Sequence, residues 1–401
     1  MTGPRLEGPD GSWSPIDFKS NVEDKLRWLT QHLDKGQTIW RFSAPTTPES
    51  VWTFHALAQL GITALPTPVS FSPTLDEAYA TAEQKPVNGH TQLRLLTSGS
   101  TGQPSVVDLT TTQINASITA SRAHLGCEPS DRWLCCLPLH HIAGISILMR
   151  TAHAGATTIL QSKFEPNKVN VAIDNQRITM VSLVPSMLAR VLDDRGDTPF
   201  PDHLRVILLG GAPATRQLIE RCRSISAPVA LTWGMTETAS QISTRVPGDL
   251  RTDPDVGQPL PGHTVSVNGG RLVVEGPIAP NGRFVTNDCG YLDPQGRVVV
   301  TGRGHRLIIS GGENIDPARV EMILKQHPSI EDAAVIGIQD ETWGQRVEAV
   351  VVGEASTALS HHLNDQLEPH ERPKKLHWVS ALPRTPLGKI DRGAIMGALQ
   401  S

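Results

Sequence analysis

Three short runs of apolar and β-branched residues constrain this chain more than any other feature. They are Ala156-Thr-Thr-Ile-Leu, Met180-Val-Ser-Leu-Val and Val206-Ile-Leu-Leu. Each is too short for a helix, and none alternates polar with apolar residues as a half-solvated strand would. Such runs suit parallel strands buried on both faces. Helical patterns lie between them, for example Ser186-Met-Leu-Ala-Arg-Val-Leu. The same alternation appears upstream. Val22, Leu26 and Leu29 keep helical spacing, Thr38-Ile-Trp-Arg-Phe reads as a strand, and a helix over Pro48–Leu60 stops at Gly61 before a strand in Ile62-Thr-Ala-Leu-Pro. The order predicts an α/β fold.

A chain of 401 residues exceeds one ordinary domain, so more than one core is expected. Between residues 248 and 300, short strands broken by Pro/Gly turns predict a small β subdomain. Past Gly302-Arg303 the texture changes again. Asp316 suits an N-cap with Pro317 at the first helical position, and Val320, Ile323 and Leu324 form an apolar stripe. Two strands follow, in Ala333-Ala-Val-Ile-Gly-Ile and Arg346-Val-Glu-Ala-Val-Val-Val. The expected division is therefore a large domain over residues 1–302 and a small α+β domain over residues 303–401.

The chemistry begins at Thr97-Ser-Gly-Ser-Thr-Gly-Gln-Pro, which follows the apolar pair Leu95-Leu96. Small side chains let backbone N–H groups crowd around an anion, and the hydroxyls add donors, so the run suits phosphate. A flexible loop has the same composition, and the spacing is not that of a Walker A loop. In Trp233-Gly-Met-Thr-Glu-Thr, the carboxylate of Glu237 beside the Thr236 hydroxyl can hold Mg²⁺ on nucleotide phosphates. Trp233 offers a flat surface to a base. An ordinary surface turn fits these residues equally. Thr286-Asn-Asp288 and Gly302-Arg303 flank a hairpin, where an acceptor for ribose hydroxyls could meet a cation for phosphate or ribose. Neighbouring residues of a strand point apart, so His140 and His141 are not expected to share a metal. Lys389 follows a glycine in a proline-bounded loop that could hold its charge outward.

Composition excludes some partners. A formal charge of −4 gives no general reason to expect nucleic acid or an anionic membrane. The first 17 residues are polar and contain no apolar run of signal-peptide type. No 18-residue window is uninterruptedly apolar, so no transmembrane helix is expected. The five cysteines include no C-x-x-C pair and read as buried or half-buried thiols of a reducing cytoplasm.

Eight segments in order, from residue 97 to 392, resemble the adenylate-forming superfamily of acyl- and aryl-CoA ligases. They are the 97–104 loop, Pro138-Leu-His-His-Ile-Ala-Gly144, Gly210-Gly-Ala, Trp233-Gly-Met-Thr-Glu-Thr, Thr286-Asn-Asp, Gly302-Arg303, Ser310-Gly-Gly-Glu-Asn-Ile and Pro383-Arg-Thr-Pro-Leu-Gly-Lys-Ile-Asp-Arg. The short N-terminal region, Met180-Val-Ser-Leu-Val-Pro-Ser-Met-Leu and Leu208-Leu-Gly-Gly-Ala are most similar to the 2-succinylbenzoate–CoA ligases of menaquinone and phylloquinone synthesis.

The resemblance implies a large domain of α/β sheet layers with a small β subdomain, and a mobile C-terminal lid that rotates between two steps. It implies ATP and Mg²⁺, a small carboxylic acid as substrate, and CoA as co-substrate. Thr97, Ser98, Gly99, Ser100, Thr101 and Gly102 would hold phosphates, with Gly211, Trp233 and Thr236 also at the nucleotide. Glu237 would take Mg²⁺, Asp288 the ribose, and Arg303 ribose or phosphate. Lys389 would stabilise the first transition state, and His141 and Gly234 would contact the acid. A homo-oligomer is compatible with it. Three positions depart from the family pattern: Ser105 replaces a lysine, Asn287 a glycine, and His305 an Asp or Lys at the hinge. Two other readings stay open here, an enzyme that adenylates an acid for a separate carrier protein and a nucleotide-binding module without activity.

Overall fold

The computed structural model describes residues 3–70, 73–97, 105–251, 253–303, 308–310, 313–340, 343–385 and 390–400. The three apolar runs become strands Thr157–Leu160, Met180–Leu183 and Val206–Leu209 of one sheet, and every residue of the three is buried. The sheet has eight strands. From one edge they are Ser240–Thr244, Val229–Met235, Val206–Leu209, Met180–Leu183, Arg132–Cys135, Thr157–Leu160, Arg5–Gly8 and Gly11–Trp13. The central pairings are parallel, with Ile207 opposite Val181 on one side and Val229 on the other. Strand alternation fills both faces. Trp133 and Cys135 enter one core, and Leu134 between them enters the other.

The two N-terminal strands are a finding that the polar, Gly/Pro-rich sequence does not announce. Three or four residues carry no usable period, and only Leu6 among them is fully buried. What places them is the parallel ladder to Thr157–Leu160.

A second sheet, in the order Ile39–Ser43, Thr63–Thr67, Thr91–Thr97 and Ser105–Thr110, packs helices on both faces. Its last two strands are an antiparallel hairpin with Thr97 opposite Ser105, the arrangement expected around the 97–104 loop. Arg94 anchors this hairpin. It is 1% exposed, forks onto Asp108 across the hairpin at 2.6 and 2.7 Å, and donates to the carbonyls of Ala82, Lys85 and Pro86. All five donors of this buried guanidinium are used, so its charge is compensated. Helices Pro15–His32, Pro48–Leu60, Thr111–Leu125 and Ile142–Ala154 fill the space between the sheets, and Pro166–Asn175, Pro185–Arg195 and Arg216–Ser224 cover the far face of the large one.

The expected β subdomain is a four-stranded antiparallel sheet of Thr264–Asn268, Arg271–Glu275, Arg283–Leu292 and Val298–Arg303. The last hundred residues build a separate five-stranded sheet with helices Pro317–Gln326, Thr357–Gln366 and Arg392–Gln400. Asp316 caps the first of these helices by accepting from Ala318 N at 3.0 Å. This region has its own apolar core, from Ile308 to Leu367. Among the described residues, no helix is long and apolar enough to cross a membrane. Four cysteines are buried and Cys289 is half-buried. Burial pushes the Cys135 thiol up to about 12, against reactivity.

Candidate active site

Ligand sites of open α/β sheets lie beyond the carboxyl ends of the strands, and four of the motifs are carried there. Cys135 ends a strand that runs on to His140 and His141, and Leu209 leads into Gly210-Gly211. Gly211 has φ of +82°, a turn that a side chain would strain. Thr97 ends a strand at the phosphate-type loop. Met235 ends another at a 3-10 turn, Thr236–Thr238, which presents Glu237.

That turn is tightly built. Gly234 faces the returning strand across a register shift, and a Cβ there would overlap the Ser240 carbonyl oxygen. Ala239 and Ser240 then take φ of 54° and 99°, a left-handed pair without glycine. Such backbone costs of order 1–3 kcal/mol per residue and persists only where surroundings enforce it. Thr236 and Glu237 are half-buried, and the Glu237 carboxylate has no hydrogen bond or ion pair to a described residue. Among the described residues no three metal-ligating side chains converge. One available carboxylate beside a hydroxyl suits Mg²⁺, which is commonly held by one or two carboxylates with phosphates and water.

Trp233 is 7% exposed, with its ring in the apolar cluster of Ile242, Leu272, Ile278 and Val298. The expectation of an open stacking face is corrected by this burial. The polar edge of the indole does the work instead, donating from Nε1 to Asp288 Oδ2 at 2.8 Å. Asp288 is 6% exposed, and Thr286 shapes its backbone by accepting from Asp288 N at 3.0 Å. In the hairpin register Asp288 stands directly opposite Arg303. Two motifs fifteen residues apart in sequence are thus cross-strand neighbours, beside the indole of a third.

The order of these segments and their convergence match a known family along most of the chain. Residues 71–287 match the model of the AMP-binding enzymes, and residues 319–389 match that of the AMP-binding enzyme C-terminal domain. The chain belongs to the AMP-binding enzyme family. Its relatives include the 2-succinylbenzoate–CoA ligase of Bacillus cytotoxicus, 35% identical over 76% of this chain and 70% of that protein. The enzyme of that name from Geobacillus kaustophilus is 37% identical over 74% of this chain and 67% of its own length. Among solved structures, o-succinylbenzoate CoA synthetase of Bacillus subtilis in complex with its acyl-adenylate intermediate superposes with a TM-score of 0.81. It is 29% identical and covers 97% of this chain and 94% of that one. The Bacillus subtilis enzyme with ATP and magnesium ion also gives 0.81, covering 98% and 96%.

In this AMP-binding enzyme several expected residues lie outside the described ones: Ser98, Gly99, Ser100, Thr101, Gly102, His305 and Lys389. Arg303 is described in its backbone alone. His140 and His141 occupy a turn, not a strand, and their rings lie 4.3 Å apart. The opposite-faces argument therefore fails. Burial, then the charge of His141, pushes the His140 pKa down to about 4, so its ring is neutral at physiological pH.

Two residues of the site escape the motifs. Gln113, 5% exposed, donates from Nε2 to the carbonyls of Glu237 and Ile278, each at 3.1 Å. Its only sequence signal is a capping box with Thr110. Arg150 lies on the helix Ile142–Ala154, which starts from His141, and is 4% exposed. Its Nη2 donates to Ser240 Oγ at 3.1 Å, its Nε has no partner, and no carboxylate among the described residues pairs with it. Its signal is a lone charge within Ile145-Ser-Ile-Leu-Met-Arg-Thr.

Trp233→Phe keeps the ring but removes the donor to Asp288. A hydrogen bond to a charged group contributes ~1.5–3 kcal/mol, so the KM for ATP should rise ~10-fold or more with kcat little changed. Steady-state kinetics with ATP varied measures it. An unaltered KM would mean that the indole does not hold Asp288 in place for the nucleotide.

Proposed function

We propose that this AMP-binding enzyme is an ATP-dependent acid–CoA ligase that makes 2-succinylbenzoyl-CoA. The acid's carboxylate attacks the α-phosphorus of ATP and pyrophosphate leaves. The CoA thiol then attacks the acyl-adenylate carbonyl and AMP leaves. A carboxylate resists thiol attack until one of its oxygens belongs to a good leaving group, which the first step provides.

The residue roles are those the family resemblance implies, supported by placement where the side chain is described. Thr97, with the loop through Gly102, cradles phosphates, and Gly211 and Thr236 border the nucleotide. Glu237 holds Mg²⁺, which neutralises phosphate charge when bound. Asp288, oriented by Trp233, accepts from the ribose, and Arg303 opposite pairs with ribose or phosphate. Lys389 stabilises the first transition state. His141 and Gly234 border the acid. Residues 1–302 form the adenylation domain and 303–401 the lid, a division supported by the separate C-terminal sheet and core. The enzyme is cytoplasmic, where buried cysteines stay reduced.

The observation that carries the substrate is Arg150. Taking a guanidinium out of water without an acid partner is costly, and burial pushes its pKa down to about 10. It rests on the Trp133 ring at 5.7 Å and reaches Ser240, three residues from Glu237. A substrate with a second carboxylate would supply the missing acid, and 2-succinylbenzoate has one on its ring. On this reading Arg150 is the donor to that carboxylate, and His141 contacts the acid elsewhere.

The test is kcat/KM for 2-succinylbenzoate against benzoate, 4-phenylbutyrate and a medium-chain fatty acid, with CoA present. A site that pairs a buried polar group rejects analogues lacking the partner by ~10,000-fold. A monocarboxylate that equals 2-succinylbenzoate would defeat the substrate assignment.

A further inference from the structure

We infer that Gln113 is a positioning residue for the Glu237 carboxylate, acting through the backbone of the Thr236–Thr238 turn. The inference rests on the reading of Glu237 as the Mg²⁺ ligand. Every hydrogen-bonding valence of the Gln113 amide is committed. Its Oε1 accepts from Thr110 N and Thr110 Oγ1, each at 3.1 Å, and its Nε2 donates to Glu237 O and Ile278 O. One side chain thereby ties the start of helix Thr111–Leu125 to two segments, 124 and 165 residues away.

The contact is the first of a row. Ser117 Oγ donates to Ala239 O at 2.7 Å, Ser121 Oγ to Gln241 Oε1 at 2.7 Å, and the His124 ring meets Arg245 O at 3.2 Å. Steps of four, four and three residues keep all of these on one helical face. The row lies along the strained Ala239–Ser240 backbone and the strand after it, so the helix supplies what the turn lacks. Ordinary helix docking would use apolar contacts. Here the helix buries Ile114 and Ile118 and adds, along one face, hydrogen bonds to the carbonyls of Glu237, Ala239 and Arg245 and to the Gln241 side chain.

The helix also begins where the strand Ser105–Thr110 ends, directly after the phosphate-type loop. One helix therefore ties the strand Ser105–Thr110 to the turn that carries Glu237. Mg²⁺ tolerates little departure from octahedral geometry, and a small misplacement costs much in rate. Gln113 holds the backbone of Glu237, and the polar atoms of its own side chain are all used within the protein.

Gln113→Met keeps the volume and removes the donors and acceptor. Pyrophosphate release should be followed against Mg²⁺ concentration, and thioester formation should be started separately from supplied acyl-adenylate and CoA. The Mg²⁺ needed for half-maximal adenylation should rise at least ~10-fold, the lower end for losing a partner that orients a metal ligand. The thioester step, in which no pyrophosphate is formed, should stay within ~3-fold. Ser117→Ala should shift Mg²⁺ dependence in the same direction by ~3-fold, and it decides the matter if Gln113→Met does not fold. Equal loss of both half-reactions, or unchanged Mg²⁺ dependence in a folded variant, overturns the inference. Glu237→Gln, run in parallel, separates the two claims. If it leaves Mg²⁺ dependence unchanged, the metal reading falls and takes the inference with it. If it shifts the dependence and the Gln113 and Ser117 variants do not, only the positioning role falls.

Discussion

Replacing Arg150 with methionine should lower kcat/KM for 2-succinylbenzoate by ~10,000-fold, the scale on which a site that pairs a buried polar group discriminates. Monocarboxylates should lose far less. For them the polar contacts removed are the Nη2 bond to Ser240 Oγ, a neutral acceptor meeting a charged donor, and the guanidinium's seat on the Trp133 ring. Together these are worth a few kcal/mol, about 1.5–3 of it for the hydrogen bond. The protein without substrate should become more stable, because a 4% exposed cation that no described carboxylate pairs with gives way to an apolar side chain. Thermal unfolding of the ligand-free protein checks this arm. Lost dicarboxylate activity with a raised Tm separates substrate recognition from structural support. If both acids fell by the same factor and Tm fell as well, Arg150 would be a packing residue. Arg150→Lys should recover part of the loss, since it restores charge but not the planar fork.

The second large effect is expected at Lys389. Lys389→Ala should slow adenylation by at least ~100-fold, the scale for removing one preorganised charge from a transition state. Charge builds on the α-phosphate as the acid attacks and pyrophosphate departs. The second step builds it on the acyl carbonyl, so thioester formation from supplied acyl-adenylate should be nearly spared. Single-turnover measurements of the two half-reactions decide. An equal loss in both would remove Lys389 from its proposed role.

Much of the architecture was readable because local signals agree with one another. The buried parallel strands announce themselves as apolar runs. Helix Pro48–Leu60 has proline at its start and Gly61 with φ of 69° at its stop, and Thr111–Leu125 ends likewise at Gly126. Asp316-Pro317 opens the helix Pro317–Gln326. The Arg5–Gly8 strand was not readable, because its local partner Gly11–Trp13 is as short and polar as itself and the ladder that places both is more than 150 residues away.

The site divides along the same line. The residues proposed to act through their own chemistry, Glu237, Asp288, Arg303 and Lys389, stand in motifs whose order resembles the family. Local spacing also put Asp288 and Arg303 on one hairpin. By itself, then, the sequence determined the α/β class, the three-part organisation and the family. Only the tertiary structure decided that the Trp233 face is buried and its N–H turned on Asp288. Only it decided that Gln113 holds the Glu237 turn, and that no carboxylate among the described residues pairs with Arg150. These facts depend on segments 55 to 165 residues apart. Hydrogen bonding and burial act over a few ångströms, whatever the distance along the chain, so the residues that orient a site leave almost no local mark.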